Sequence, residues 1–136
     1  MNNSPIEIIS GIWIGDINSA YNKNFFINNN IEIIFNCTND TETIQLNTIK
    51  HVIKIPFSIN HPSKHNIEII NEYIGQLLDI MNKTIDNHNI FIYSYNTAII
   101  PLHIVSLFIV KYGKINIQSI EDVIKSKIDI NKFNQE

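Results

Sequence analysis

The chain has 136 residues, 44% hydrophobic and 17% charged, the make-up of one globular domain long enough to bury a core unaided. A formal charge of −3 with scattered lysines excludes a general nucleic-acid binder, which needs clustered cations to displace counterions from phosphate. No apolar run reaches the ~18 residues that span a bilayer, and MNNSPIEIIS lacks the basic and apolar regions of a signal peptide, so a soluble, cytoplasmic protein off the membrane is expected.

Cys37 is the only cysteine, which rules out an internal disulfide. Ile, Asn and Lys dominate, and all 10 cations in the Lys+Arg count are lysine. Such usage is typical of AT-rich genomes, so many of the asparagines need no functional explanation.

In chain order, IEIISGIWIGD reads as a strand pair or a bent strand around Gly11. INSAYNKNFFINNN places Ala20, Phe26 and Ile27 at helical spacing and ends in asparagines, which tolerate the left-handed conformation at a helix C-terminus. IEIIFNCT (Ile31 to Thr38) and KHVIKIPF (Lys50 to Phe57) are compact β-branched runs, predicted as strands buried in a central sheet. SINHPSKHN, Ser58 to Asn66, is the one polar stretch long enough to act as a lid or surface loop.

The clearest helix is predicted over Asn66 to Asp86, where Ile67, Ile70, Ile74, Leu77, Leu78, Met81 and Ile85 recur at intervals of three and four. IFIY is a short buried strand. Pro101 suits a helix start and Gly113 its termination. A last helix is predicted from about Asn116 to Lys127, with Asn116 as N-cap. Strands alternating with helices define an α/β domain over residues 1–136: a central, mostly parallel sheet of four or five strands flanked by helices.

The stretch NIFIYSYNTAIIP has the outline of a strand whose loop opens directly into a helix, an arrangement suited to gripping phosphate. Its loop, Tyr93 to Pro101, contains no glycine, cysteine or basic residue. The order of pieces nonetheless resembles the dual-specificity protein phosphatases. GIWIGD through FNCTND looks like their opening (LYLGD, a short helix, a strand ending in INCT), HVIKIPF like the strand before the general-acid loop, and INIQSIEDVIKSKIDIN like a closing helix of the VKSKRPxIN type. The likeness covers nearly the entire chain and is strongest to compact single-domain members, among them those of poxviruses, which implies a virus-encoded protein.

Carried over from the signature H-C-x-x-G-x-x-R-S/T, the histidine position holds Tyr93, the nucleophilic cysteine Ser94, the glycine Thr97, the arginine Ile100 and the final hydroxyl Pro101. Tyr95, Asn96, Ala98 and Ile99 fill the variable places. The general-acid aspartate falls near Ile59 or Asn60, neither of which can donate a proton as a carboxylic acid does. An engineered cysteine-to-serine trap accounts for one change of these, not for all together.

Each replacement removes a physical contribution. A serine hydroxyl without an adjacent base is a feeble nucleophile where a thiolate is needed. The arginine is a planar fork for two phosphate oxygens, and isoleucine substitutes a desolvating hydrocarbon. Thr97 resists the positive φ that an anion-wrapping loop asks of glycine, and Pro101 removes an N–H at the helix start. The resemblance therefore implies a pseudophosphatase with no catalytic residues and no cofactor.

Plainer readings stand beside these. Ile99 and Ile100 can simply fill the arginine's space, and Cys37 is a small core residue without ligands at metal spacing. His61 and His65 are separated by Pro62, which argues against a helical metal pair, so no metal is expected. His103 lies early in the helix after the loop, within reach of Ser94 on this reading. Tyr93, Tyr95 and Asn96 stand at the loop mouth as recognition residues, or, for Tyr95 and Asn96, as ordinary exposed loop.

Three functions follow, in descending order. The first is a protein-binding or scaffolding module that uses the former active-site face, with a homodimer as one form. The second is a non-hydrolysing binder of a phosphorylated protein segment. The third is a residual hydrolase using Ser94.

Overall fold

A computed structural model describes residues 5–57, 63–95 and 99–113 of the chain. Its strands are β1 Ile6–Ile9, β2 Ile12–Gly15, β3 Ile31–Asn36, β4 His51–Lys54 and β5 Asn89–Tyr93; its helices are α1 Lys23–Asn28, α2 Ser63–Thr84 and α3 Ile99–Gly113. The strands form one sheet in the order β1-β2-β5-β3-β4, antiparallel between β1 and β2 and parallel elsewhere. The predicted α/β class and mostly parallel sheet are what the structure has.

β1 and β2 are a hairpin, and Gly11 makes its turn with φ +89, a conformation costly for any residue with a Cβ. Gly15 permits a close approach: a Cβ there would meet the Phe91 ring at 3.0 Å. Side-chain alternation along the strands builds two cores. On one face Ile12, Ile14, Ile33, Phe35, Ile90 and Ile92 pack beneath α2 and α3. On the other, Phe91 and Tyr93 of β5 and Ile34 of β3 meet Phe25 and Phe26 of α1. Phe91 lies edge-on to both, with ring centroids 5.3 and 5.4 Å apart, and stacks on Tyr93 at 5.7 Å. Such pairs add directional attraction to apolar burial.

Several boundaries differ from the sequence expectations. α1 is only six residues, capped by the Asn22 side chain, which accepts from the Phe25 N–H at 3.1 Å; Ala20 falls in a separate 3-10 turn, Ser19–Tyr21. Ile27 is exposed, and Phe25 takes the buried place beside Phe26. Asn30 carries the expected left-handed conformation past the helix end, with φ 52.

α2 begins at Ser63, so the predicted polar loop is shorter by at least its last residues. Leu77, Leu78 and Met81 are buried, whereas Ile67 is 57% exposed, because firm packing against the sheet belongs to the second half of the helix. KHVIKIPF is not a strand buried in the centre. β4 is the edge strand of the described sheet, with His51, Val52 and Lys54 exposed, and the fully buried members of the stretch, Ile55 and Phe57, follow it as irregular chain. α3 starts two residues before Pro101, which occupies the first turn where its missing N–H costs nothing, and ends at Gly113 as expected. The predicted last helix, Asn116 to Lys127, lies outside the described residues. No helix among the described residues is long and apolar enough to cross a membrane.

Candidate functional site

The four parallel strands finish on one edge of the sheet, β2 at Gly15, β5 at Tyr93, β3 at Asn36 and β4 at Lys54. The crevice outside the carboxyl ends of such strands is where α/β sheets bind ligands. β5 is central, so its loop leaves from the middle of that edge. Main-chain bonds fix its departure: the Cys37 N–H donates to the Tyr93 carbonyl at 2.9 Å and the Ile17 N–H to the Tyr95 carbonyl at 2.8 Å.

Ser94 follows β5 directly and is buried, 2% exposed. Tyr95 turns its hydroxyl toward the loops after β3 and β4. The oxygen accepts from the Asn39 N–H at 3.1 Å, and three acceptors surround its single proton: Asn39 Oδ1 at 2.8 Å, Asp40 Oδ1 at 2.9 Å and the Phe57 carbonyl at 3.0 Å. Burial, then the neighbouring Asp40 carboxylate, raise the Tyr95 pKa, so the phenol remains a donor at neutral pH. Tyr95 is thus a tie between three loops rather than ordinary exposed chain.

A second polar knot sits at the end of β3. The buried Asn36 donates its Nδ2 to the Thr41 carbonyl at 3.0 Å and to Thr43 Oγ1 at 3.1 Å, while its Oδ1 accepts from Thr38 N at 3.1 Å and Thr38 Oγ1 at 2.6 Å. The Thr38 and Thr41 hydroxyls also hydrogen-bond each other. Asn36 and Tyr95 were the residues missed as structural organisers. The one legible signal was a polar amide at the end of the apolar run IEIIFN, since a buried amide must find partners.

Tyr93 is not at the loop mouth. Strand alternation sends its ring to the α1 face with Phe91, where it is fully buried. Its hydroxyl is the one buried side-chain oxygen or nitrogen among the described residues without a hydrogen bond of good geometry, although the Thr41 and Thr43 hydroxyls lie close enough to lower its pKa as hydrogen-bond partners do. Burial, the dominant effect, raises its pKa.

The remaining candidates divide. Ile99 and Ile100 begin α3 and pack, partly buried, against the main core, and Pro101 beside them is buried. His103 is exposed on α3, and Ser94 is buried at the end of β5. Asn96, Thr97 and Ala98, the acid positions Ile59 and Asn60, and His61 lie outside the described residues. Cys37 is a wholly buried core residue whose thiol pKa is pushed far up by desolvation. Among the described residues no three His, Cys, Asp or Glu side chains converge to hold a metal.

No protein-family model matches the sequence, and no curated protein does. Solved structures do match. Human DUSP28 superposes with a TM-score of 0.76 at 9% identity, covering 93% of this chain and 82% of its own. A human tyrosine phosphatase-like serine/threonine/tyrosine-interacting protein gives 0.71 at 11%, over 93% and 85%. A leucine rich repeat and phosphatase domain containing protein from Entamoeba histolytica gives 0.67 at 19%, over 91% and 78%. The fold is that of the dual-specificity phosphatases. At these identities it is the architecture that is shared.

Proposed function

We propose that this chain is a phosphatase-fold protein without catalysis, a protein-binding or regulatory module that engages its partner through the loops at the carboxyl ends of the parallel strands. The observation that carries the reading is Ile100. It lies at the start of α3 beside Ile99 and packs against the main core, and the sequence resemblance assigns to it the position of the signature arginine, which holds two phosphate oxygens. The sequence has no arginine to substitute for it, since all its Lys+Arg cations are lysines.

Two further features support the same view. Ser94, at the nucleophile's position, is a buried alcohol, and the one thiol in the chain is desolvated in the core instead of activated as a thiolate. The human phosphatase-like interacting protein among the similar structures is named for interaction, a role this fold can hold.

The test is turnover of a small aryl phosphate by the purified chain. None is expected, and none from the Ser94→Cys, Ile100→Arg double variant, because Thr97 and the absent general acid still oppose the reaction. Turnover by the unmodified chain that Ser94→Ala abolishes overturns the proposal. Saturable capture of inorganic phosphate, without turnover, favours a binder of phosphorylated segments instead.

A further inference from the structure

The sheet stops at β4, with β3 on one side and, among the described residues, no strand on the other. An edge of this kind presents main-chain N–H and C=O groups to any extended chain that reaches it. Here the edge also carries an apolar side chain, Val52, 47% exposed. Beside it runs a shallow groove, with Val52 and Lys54 on one wall, the irregular stretch Thr41 to Gln45 on the other, and Asn36 lining it at the end of β3. The far wall is held in place: the Tyr21 hydroxyl donates to the Glu42 carbonyl at 3.0 Å, and Asn36 Nδ2 to the Thr41 carbonyl at 3.0 Å. The groove is therefore preorganised, which lowers the ordering cost of binding.

Charge selects the occupant. Lys50, which leads into β4, is held by Glu32 at 2.8 Å, but Lys54 makes no ion pair among the described residues, and His51 is exposed beside it. A second copy paired antiparallel with Lys54 opposite its own counterpart would set cation against cation, which opposes pairing in that register. Lysine on an edge strand is a known guard against such self-association. The same guard leaves the edge open to a strand of opposite sign.

We propose that β4 accepts an extended acidic segment of a partner protein, added as a further strand of the sheet, with carboxylates toward Lys54 and alternate apolar side chains resting on Val52 and Ile44. Glu42, on the far rim, repels a carboxylate placed there, so the acidic positions run along the β4 side. Main-chain pairing supplies affinity and alternate side chains supply selectivity, the logic of strand addition. This surface is separate from the loop after β5, and the proposal holds whether or not that loop binds anything.

The experiment titrates the full chain with a blocked decapeptide alternating glutamate with valine and threonine, and with its lysine counterpart. Binding is read by calorimetry and by slowed amide exchange in His51–Lys54. The acidic peptide is expected to bind, to weaken with added salt, and to lose about tenfold in affinity with Lys54→Glu while the lysine peptide gains. Lys54 is exposed, and circular dichroism of the variant verifies its fold. Equal binding of both peptides, no binding of either at millimolar concentration, or indifference to Lys54→Glu overturns the proposal. So does light scattering that shows a dimer with β4 amides protected, which would make a second copy the occupant.

Discussion

Replacing Tyr93 by phenylalanine removes one oxygen from the interior and little else. The ring keeps its stack on Phe91 at 5.7 Å and its place against α1. A buried hydroxyl without a well-formed hydrogen bond carries a desolvation penalty of about 1–3 kcal/mol, and its removal leaves no other group stranded, because the Thr41 and Thr43 hydroxyls beside it are bonded to Thr38 and Asn36. The small void left behind returns a fraction of a kcal/mol to the other side. Tyr93→Phe is therefore expected to be neutral or to stabilise by up to about 2 kcal/mol, a rise of roughly 4–8 °C in Tm for a domain of this size. Urea unfolding followed by circular dichroism measures it, and an unchanged slope shows that only stability has moved. A loss of more than about 1 kcal/mol would refute the reasoning, since it would mean that Thr41 or Thr43 does bond the phenol in solution. Thr41→Val and Thr43→Val, each combined with Tyr93→Phe, would then identify which.

Tyr95→Phe is expected to behave in the opposite way: it strips the hydroxyl on which Asn39, Asp40 and the Phe57 carbonyl converge, costing about 1–2 kcal/mol in urea unfolding and speeding proteolysis near residues 38–45. Lys50 above all, then His88, bonded to Glu32 at 2.8 and 3.0 Å, hold the Glu32 carboxyl below its ordinary range. Because the folded pKa is depressed, this contribution is complete above the ordinary carboxylate range and disappears as pH falls through it. The Lys50 side chain of the pair is 58% exposed, and solvent screening there keeps the effect at most about 1 kcal/mol. Glu32→Gln should abolish that part of the acid-side slope in a pH series of unfolding curves.

Strand and helix patterns made most of this architecture legible, because the unbroken apolar runs in IEIIF and NIFIY reflect burial on both faces of the sheet, and the three-four spacing in α2 reflects burial on one. Lateral order was not legible. A β-branched run such as HVIK reads alike at the centre and at the edge of a sheet, and it is the topology, with β5 inserted between β2 and β3, that leaves β4 outermost. Apolar positions that stay exposed, Ile27 and Ile67, could not be told from core for the same reason: local pattern does not say where a neighbouring element stops. At the candidate site the signature positions were placed by resemblance, and the structure adds what no spacing shows, that Tyr93 faces the core and that Tyr95 ties three loops.

The late arrival of β5 between two earlier strands also shapes how the molecule comes into being. While the nascent chain leaves the ribosome, β2 and β3 exist for some fifty residues of synthesis with the space between them unfilled, since the segment that joins them is Asn89–Tyr93. Their inner margins are then open to wrong partners, and closure has to wait for contacts distant in sequence, which form slowly. Production of the protein should accordingly depend more on chaperone supply and growth temperature than its modest size would imply.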